Sequence, residues 1–248
     1  MELSVKIAIA SVIIVLVVVT FGAYVFLNNA LAPLEERQVN STKIATKYVD
    51  IQATTFNGNI EIQSSASSQI EVIYNIQAPV GHLTEIATTT TNQTVNEVTN
   101  VVTEAKIADS NIQMRVNYRV DITIKVPNTS QYNLTLNTLN GNIIKPQLND
   151  TTIVAQTNNG FIDISDDNAT AIDASSLNGN VKISLAQATL FQVDATSANG
   201  QVTFQGIAMN TNIQTSTHLN GVTSEGNGKL EMTLSTANGN VEIVYFAK

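Results

Sequence analysis

The chain has 248 residues, enough for one large domain or two small ones, and no cysteine, which removes disulfide frameworks, thiolate nucleophiles and cysteine metal sites. Charged residues make up only 13% and the net charge is −8, so the basic face that nucleic-acid binding requires is missing. Partners other than nucleic acid are expected.

The first element in chain order is the uncharged run IAIASVIIVLVVVTFGAYVFL from Ile7 to Leu27. As a helix it would span roughly 31 Å, close to the ~30 Å hydrocarbon core of a bilayer. Ala30 and Ala32 form an A-x-A-like cleavage site, but a cleaved signal has an apolar region of only about 7–15 residues. The reading is therefore a retained transmembrane anchor over residues 1–30. Lys6 before the run and Glu35, Glu36, Arg37, Lys43 and Lys47 after it give no decisive charge bias. The large polar body beyond the run, set against a tail of a few residues before it, makes that body an extracellular ectodomain and the chain a single-pass cell-membrane protein. Residues 31–48 contain Pro33 and no sustained period, and read as a juxtamembrane linker.

Residues 49–248 read as the ectodomain, and their dominant period is two. The segments IEVIYNIQ from Ile70, IQMRVNYRVDITIKV from Ile112 and YNLTL from Tyr132 alternate apolar and polar with many β-branched residues, as half-buried strands do. Residues 84–110 interrupt them with a Thr-rich stretch. Val95, Val98, Val101 and Val102 have helix-like spacing there, yet the surrounding threonines are poor helix formers, so the stretch is either a mobile excursion or an extra strand pair.

Asn-Gly recurs at Asn57-Gly58, Asn140-Gly141, Asn159-Gly160, Asn178-Gly179, Asn199-Gly200, Asn220-Gly221 and Asn238-Gly239, the last six separated by 19, 19, 21, 21 and 18 residues. A period near twenty marks a repeat architecture. Six residues before the Asn stand Ile51, Leu134, Ile153, Ile172, Val193 and Met232, and four before stand Ala53, Leu136, Ala155, Ala174, Ala195 and Leu234. Two before stand Thr55, Thr138, Thr157, Ser176, Ser197 and Thr236, while three after stand Ile60, Ile143, Ile162, Val181, Val202 and Val241. Five after come Ile62, Ile164, Ile183, Phe204 and Ile243; only the Asn220 unit slips register. These offsets place one set of side chains on a single buried face of a strand–turn–strand unit. Glu61, Asn137, Asp163, Lys182, Thr203 and Glu242 face outward. Asn and Gly both tolerate positive φ, which gives the dipeptide a structural role as a turn. Two all-β architectures fit: a β-solenoid, favoured by the constant rung length and the small residues at stacked positions, and an antiparallel sandwich of Asn-Gly hairpins.

The run from Tyr118 to Leu185, with a strand ending in Val126-Pro127 followed by T-x-N-G-x-φ-x-φ rungs, resembles the bacterial and archaeal adhesin-type domain family of unknown function. The resemblance covers roughly residues 51–243 and is interrupted by the Thr-rich stretch. It implies a β-solenoid-like ectodomain tethered to a membrane, with adhesion as the inferred role.

No chemistry stands out. His82 lies in a turn-like stretch and His218 just before the Asn220 corner, neither with a partner at metal-ligand spacing. Asp163, Asp166, Asp167 and Asp173 are the densest acidic cluster, and Asp166 and Asp167, with Asn168, are weak calcium candidates on one loop. Their spacing matches no helix–loop–helix calcium site and no nonapeptide calcium repeat, so a solvated loop is preferred and no cofactor or metal is expected. N-glycosylation sequons begin at Asn40, Asn92, Asn128, Asn133, Asn149 and Asn168, about the number that a chain so rich in Asn, Ser and Thr carries by chance. The expected protein is a non-enzymatic adhesin-like binding or spacer module whose partners are envelope proteins or surface glycans. The alternative is a pilin-like filament subunit, although Ile7 after Lys6 departs from pilin processing sites. A glycan-active solenoid enzyme or an envelope sensor ranks behind both.

Overall fold

The structure is a computed structural model that describes residues 18–20, 33–108, 117–166, 168–186, 190–206, 209–223 and 229–246. The strands are β1 (Leu34–Ile44), β2 (Tyr48–Asn57), β3 (Ile60–Ser65), β4 (Gln69–Pro79), β5 (Ile86–Val95), β6 (Val98–Ile107), β7 (Arg119–Pro127), β8 (Gln131–Asn140), β9 (Ile143–Lys145) and β10 (Asp150–Asn159). They continue as β11 (Ile162–Asp166), β12 (Ala171–Asn178), β13 (Val181–Ala186), β14 (Leu190–Asn199), β15 (Val202–Gln205), β16 (Met209–Gln214), β17 (His218–Thr223), β18 (Lys229–Asn238) and β19 (Val241–Phe246). A 3-10 turn at Leu83–Glu85 precedes β5.

Two large mixed sheets enclose one core. The nine-stranded sheet has the order β1-β4-β7-β3-β9-β11-β13-β19-β15, and the ten-stranded sheet β16-β17-β14-β18-β12-β10-β8-β2-β6-β5. Every Asn-Gly unit but that of Asn220 contributes one strand to each sheet, as β10 and β11 do, and equivalent strands pair in parallel and in register: Ile153 with Ile172, Ala155 with Ala174, Ile162 with Val181. The inward set is buried as its period requires. Ile153, Ala155, Ile162 and Ile164 are all fully enclosed, each large aliphatic side chain stabilising the fold by about 1.5–3 kcal/mol.

The sandwich-like architecture corrects the expected β-solenoid with an N-terminal transmembrane helix. Antiparallel strands β4 and β1 close one sheet, β5, β17 and β16 the other, so neither sheet is a pure parallel stack. The units are not added in sequence order either: β18 and β19 insert between the Asn178 and Asn199 units. Burial follows that order. Val241 and Ile243 are fully enclosed inside the sheet, whereas Val202 and Phe204, their equivalents on β15, are only partly buried and take its edge. The corners are not hairpin turns as the alternative supposed, because their two strands belong to different sheets.

Against the expected single-pass membrane assignment, no helix among the described residues is long and apolar enough to cross a membrane. Of the Ile7–Leu27 run, Val18, Val19 and Thr20 are helical, and the rest lies outside the described residues. The stretch read as a linker contains β1, whose eleven residues pair antiparallel with β4. The Thr-rich stretch forms the β5–β6 hairpin, with Asn96 and Glu97 at φ 50° and 67° as the two-residue turn that a right-twisted hairpin requires.

The corners work differently from expectation. No corner Asn has positive φ; among the described non-glycine residues only Asn96 and Glu97 do. The Asn side chains instead form a ladder from strand to strand, Asn140 donating to Asn57, Asn159 to Asn140, Asn178 to Asn159, Asn238 to Asn178 and Asn199 to Asn238, at 2.5–2.9 Å. The Ser or Thr two before each Asn donates to a carbonyl of the neighbouring unit: Thr138 to Gly58, Thr157 to Gly141, Ser176 to Gly160, Thr236 to Gly179 and Ser197 to Gly239, at 2.7–2.9 Å. Those hydroxyls are buried, and the bond removes the penalty of enclosing an unpaired polar group. Asn220 and Gly221 form no corner; they lie within β17 opposite Asp194 and Val193.

In the column five after the corner Asn, one buried position breaks the apolar rule. Lys145 occupies the place held elsewhere by Ile62, Ile164 and Ile183; it is fully enclosed, ion-paired with Asp150 and donates to the Ser165 carbonyl at 2.9 Å. Nearby, the Tyr132 hydroxyl donates to the Pro127 carbonyl. Burial pushes the Tyr132 phenol up from 10.0 to about 12, with the Asp150 charge adding to the rise and a hydrogen bond with Ser130 opposing it. A folded-state value above the unfolded one leaves stability independent of pH below about 10, where both states hold the proton. Above that, only the unfolded chain ionises. Urea unfolding is expected to show stability falling by about 1.4 kcal/mol per pH unit between 10 and about 12, a slope that Tyr132→Phe removes.

Candidate functional site: a groove on the outer face of the nine-stranded sheet

The position two after each corner Asn faces outward at the start of the second strand. Across the sheet this row reads Asn59, Asn142, Phe161, Asn180, Asn240 and Gln201, with Asp121 of β7 opposite Asn59. It carries a second hydrogen-bond ladder, in which each side-chain oxygen accepts the next unit's backbone N–H. Asp121 accepts from Asn59 at 2.6 Å, Asn59 from Asn142 at 2.9 Å and Asn142 from Phe161 at 3.0 Å. Beyond a gap, Asn180 accepts from Asn240 at 2.8 Å and Asn240 from Gln201 at 2.9 Å.

Phe161 is the gap. A phenyl ring has no acceptor to offer the next strand, so the ladder stops there, and the ring is 41% exposed. Beside it a groove of about 290 Å³ opens over β11, β13, β19 and β15, just below the ~300–1,000 Å³ range of ligand sites. Asp163, Lys182, Glu242 and Thr203 stand on its floor on successive strands, and Asn240 and Gln201 lie along its rim. Chemically it offers one exposed apolar plane beside amides, two carboxylates, an ammonium and a hydroxyl. A shallower groove of about 720 Å³ on the opposite sheet passes Leu177 and His218, lined mainly by Ser and Thr and without a Phe, Tyr or Trp ring.

The residues singled out in the sequence do not converge. His82 bonds Glu85 at 2.7 Å, and Glu85 also accepts from Tyr118 at 2.8 Å. His218 bonds Asp194 at 2.8 Å. Asp163 and Asp173 lie on different sheets, Asp166 ends β11, and Asp167 lies outside the described residues. Among the described residues no group of three or more His, Asp or Glu is arranged to hold a metal ion. Of the sequon asparagines, Asn40, Asn92, Asn128, Asn133 and Asn168 are exposed and Asn149 is half-buried. Sequence reasoning finds no aromatic platform and so misses Phe161. The signal is nonetheless present in the aligned units, where one aromatic stands in a column of amides.

No protein-family model and no curated protein matches the chain. Among solved structures it is similar to a "putative cell adhesion protein" from Clostridium sporogenes, with a TM-score of 0.66 and 11% identity over 85% of this chain and 100% of that one. A "putative adhesin" from Bacteroides fragilis aligns over 85% of this chain and 97% of its own at 14% identity, with a TM-score of 0.33. The Clostridium likeness shows a shared fold.

Proposed function

We propose that the protein is a non-catalytic, adhesin-like surface or extracellular module that holds a neutral polysaccharide in the groove beside Phe161. The observation that carries this reading is the break in the second ladder: the repeat gives up a backbone hydrogen bond to place an exposed ring there. A sugar ring presents an apolar C–H face to an aromatic plane and hydroxyls at its rim. Amides, carboxylates and Lys182 supply the donors and acceptors for those hydroxyls. The net charge of −8 and the carboxylates of Asp163 and Glu242 favour a neutral chain over an acidic one. The adhesion role named for the Clostridium structure supports the same reading.

Titration against a panel of neutral and acidic polysaccharides tests it. The wild type should retain a neutral member, and Phe161→Ala should weaken retention roughly tenfold, the loss of an aromatic contact and its area. Release of reducing ends during incubation would contradict a non-catalytic role.

A further inference from the structure

A Gly after an Asn leaves the Asn side chain open to attack, since without a Cβ the Gly backbone nitrogen can close on the Asn carboxamide carbon. That closure turns the nitrogen out of its peptide hydrogen bond, so a bonded Gly N–H protects the Asn before it. Asn140, Asn159, Asn178, Asn199 and Asn238 are all exposed, so exposure does not rank the corners, whereas this protection does. Gly58 donates to the Asn140 carbonyl at 2.8 Å, Gly141 to that of Asn159 at 2.9 Å and Gly160 to that of Asn178 at 3.0 Å. Gly179 donates to the Asn238 carbonyl at 2.9 Å and Gly239 to that of Asn199 at 3.3 Å. Asn220 and Gly221 are held inside β17, between β14 and β16.

Each of these Gly bonds runs to the next unit across the nine-stranded sheet, and the series ends where the sheet does. The Asn199 unit is last, because its second strand, β15, is the end of that sheet. Among the described residues the Gly200 N–H meets no acceptor. The side-chain ladder stops at the same residue: Asn199 donates to Asn238 at 2.9 Å, while no donor among the described residues reaches its own Oδ1. Asn57, at the far end of the ladder, is followed by a bonded Gly58. Asn199 is thus the corner whose attacking nitrogen is free and whose carboxamide is held on one side only.

We propose that Asn199 is a site of spontaneous deamidation, where the folded protein acquires an aspartyl or isoaspartyl residue while its other described corners keep their amides. The Gly200 nitrogen bonds to Asn199 Cγ and passes its proton, through water, to Nδ2. The Cγ–Nδ2 bond breaks and ammonia leaves a cyclic succinimide. Water then opens the ring: attack at Cγ gives aspartate, and attack at the main-chain carbonyl carbon gives isoaspartate. Both products lose the Nδ2 donor to Asn238 and gain a negative charge. Isoaspartate also lengthens the main chain by one carbon just before β15. The change falls on an edge strand whose Val202 and Phe204 are only partly buried, so the core strands keep their packing.

Prolonged incubation of the full chain at neutral pH, followed by proteolysis and tandem mass spectrometry of every Asn-Gly peptide, tests the proposal. Asn199 should convert roughly tenfold faster than each bonded corner, the margin that one retained peptide hydrogen bond supplies. In urea, where no corner is protected, all of them should convert at similar rates. A further dipeptide, Asn227-Gly228, belongs to none of the repeat units and lies outside the described residues; its conversion is followed separately. Asn199→Gln keeps an amide donor but must close a larger ring, so it should abolish conversion at that corner and leave the others unchanged. Conversion of Asn199 in the folded chain no faster than at the bonded corners would overturn the proposal.

Discussion

Replacing Lys145 by Ala is expected to lower the unfolding free energy by about 3–5 kcal/mol, because it leaves the Asp150 carboxylate enclosed without its counter-charge. The ammonium also loses a bond to the Ser165 carbonyl, so a second buried acceptor is orphaned. The ion pair is not itself a large source of stability, since two charges taken out of water repay most of their mutual attraction as lost hydration. The double variant Lys145→Met with Asp150→Leu should therefore recover most of what the single one loses. Urea unfolding at neutral pH measures both. Equal losses in the single and double variants would show that the side chains matter for shape and not for charge.

Gly179→Ala should be among the most damaging changes at a corner. A Cβ there would lie 1.9 Å from the Gly160 carbonyl oxygen, and the backbone has φ of +152°. Neither the neighbouring backbone nor the strand register can move without breaking adjacent ladder bonds, so a loss of at least about 3 kcal/mol is expected from overpacking and backbone strain together. Gly81 supplies the control. It also has positive φ, +85°, but a Cβ there meets nothing within 4 Å, so Gly81→Ala should lose only about 1–2 kcal/mol. Thermal melts of the two variants separate close approach from backbone conformation.

The contrast explains what the sequence discloses and what it conceals. The inward register was legible because burial imposes a period of two, and Ile153, Ala155 and Ile162 are enclosed as that period requires. The Ser or Thr before each corner was legible as inward-facing, but its task was not, since the carbonyl it bonds belongs to a unit 16 or more residues away. Unit order was hidden for a similar reason: β18 stacks on β12 and β14 through backbone pairing that leaves the same pattern in every unit. β1 escaped notice because its edge charges and Pro33 mask the alternation of a strand with one face partly covered. Lys145 was hidden by averaging, for the other units place Ile or Phe at that position. Phe161 was hidden the same way, as a single departure in a column of amides.

Scaffold and proposed binding surface are therefore separable. The corner dipeptides hold the units together, and specificity is assigned to the outward column where they differ. Phe161→Asn tests this most directly, because it restores the amide of its column and completes the second ladder. Polysaccharide retention and the thermal midpoint are measured together on the full chain. The predicted result is a midpoint at or above that of the wild type with retention lost. Retention that survives the substitution, with the fold intact, would contradict the assignment of the groove.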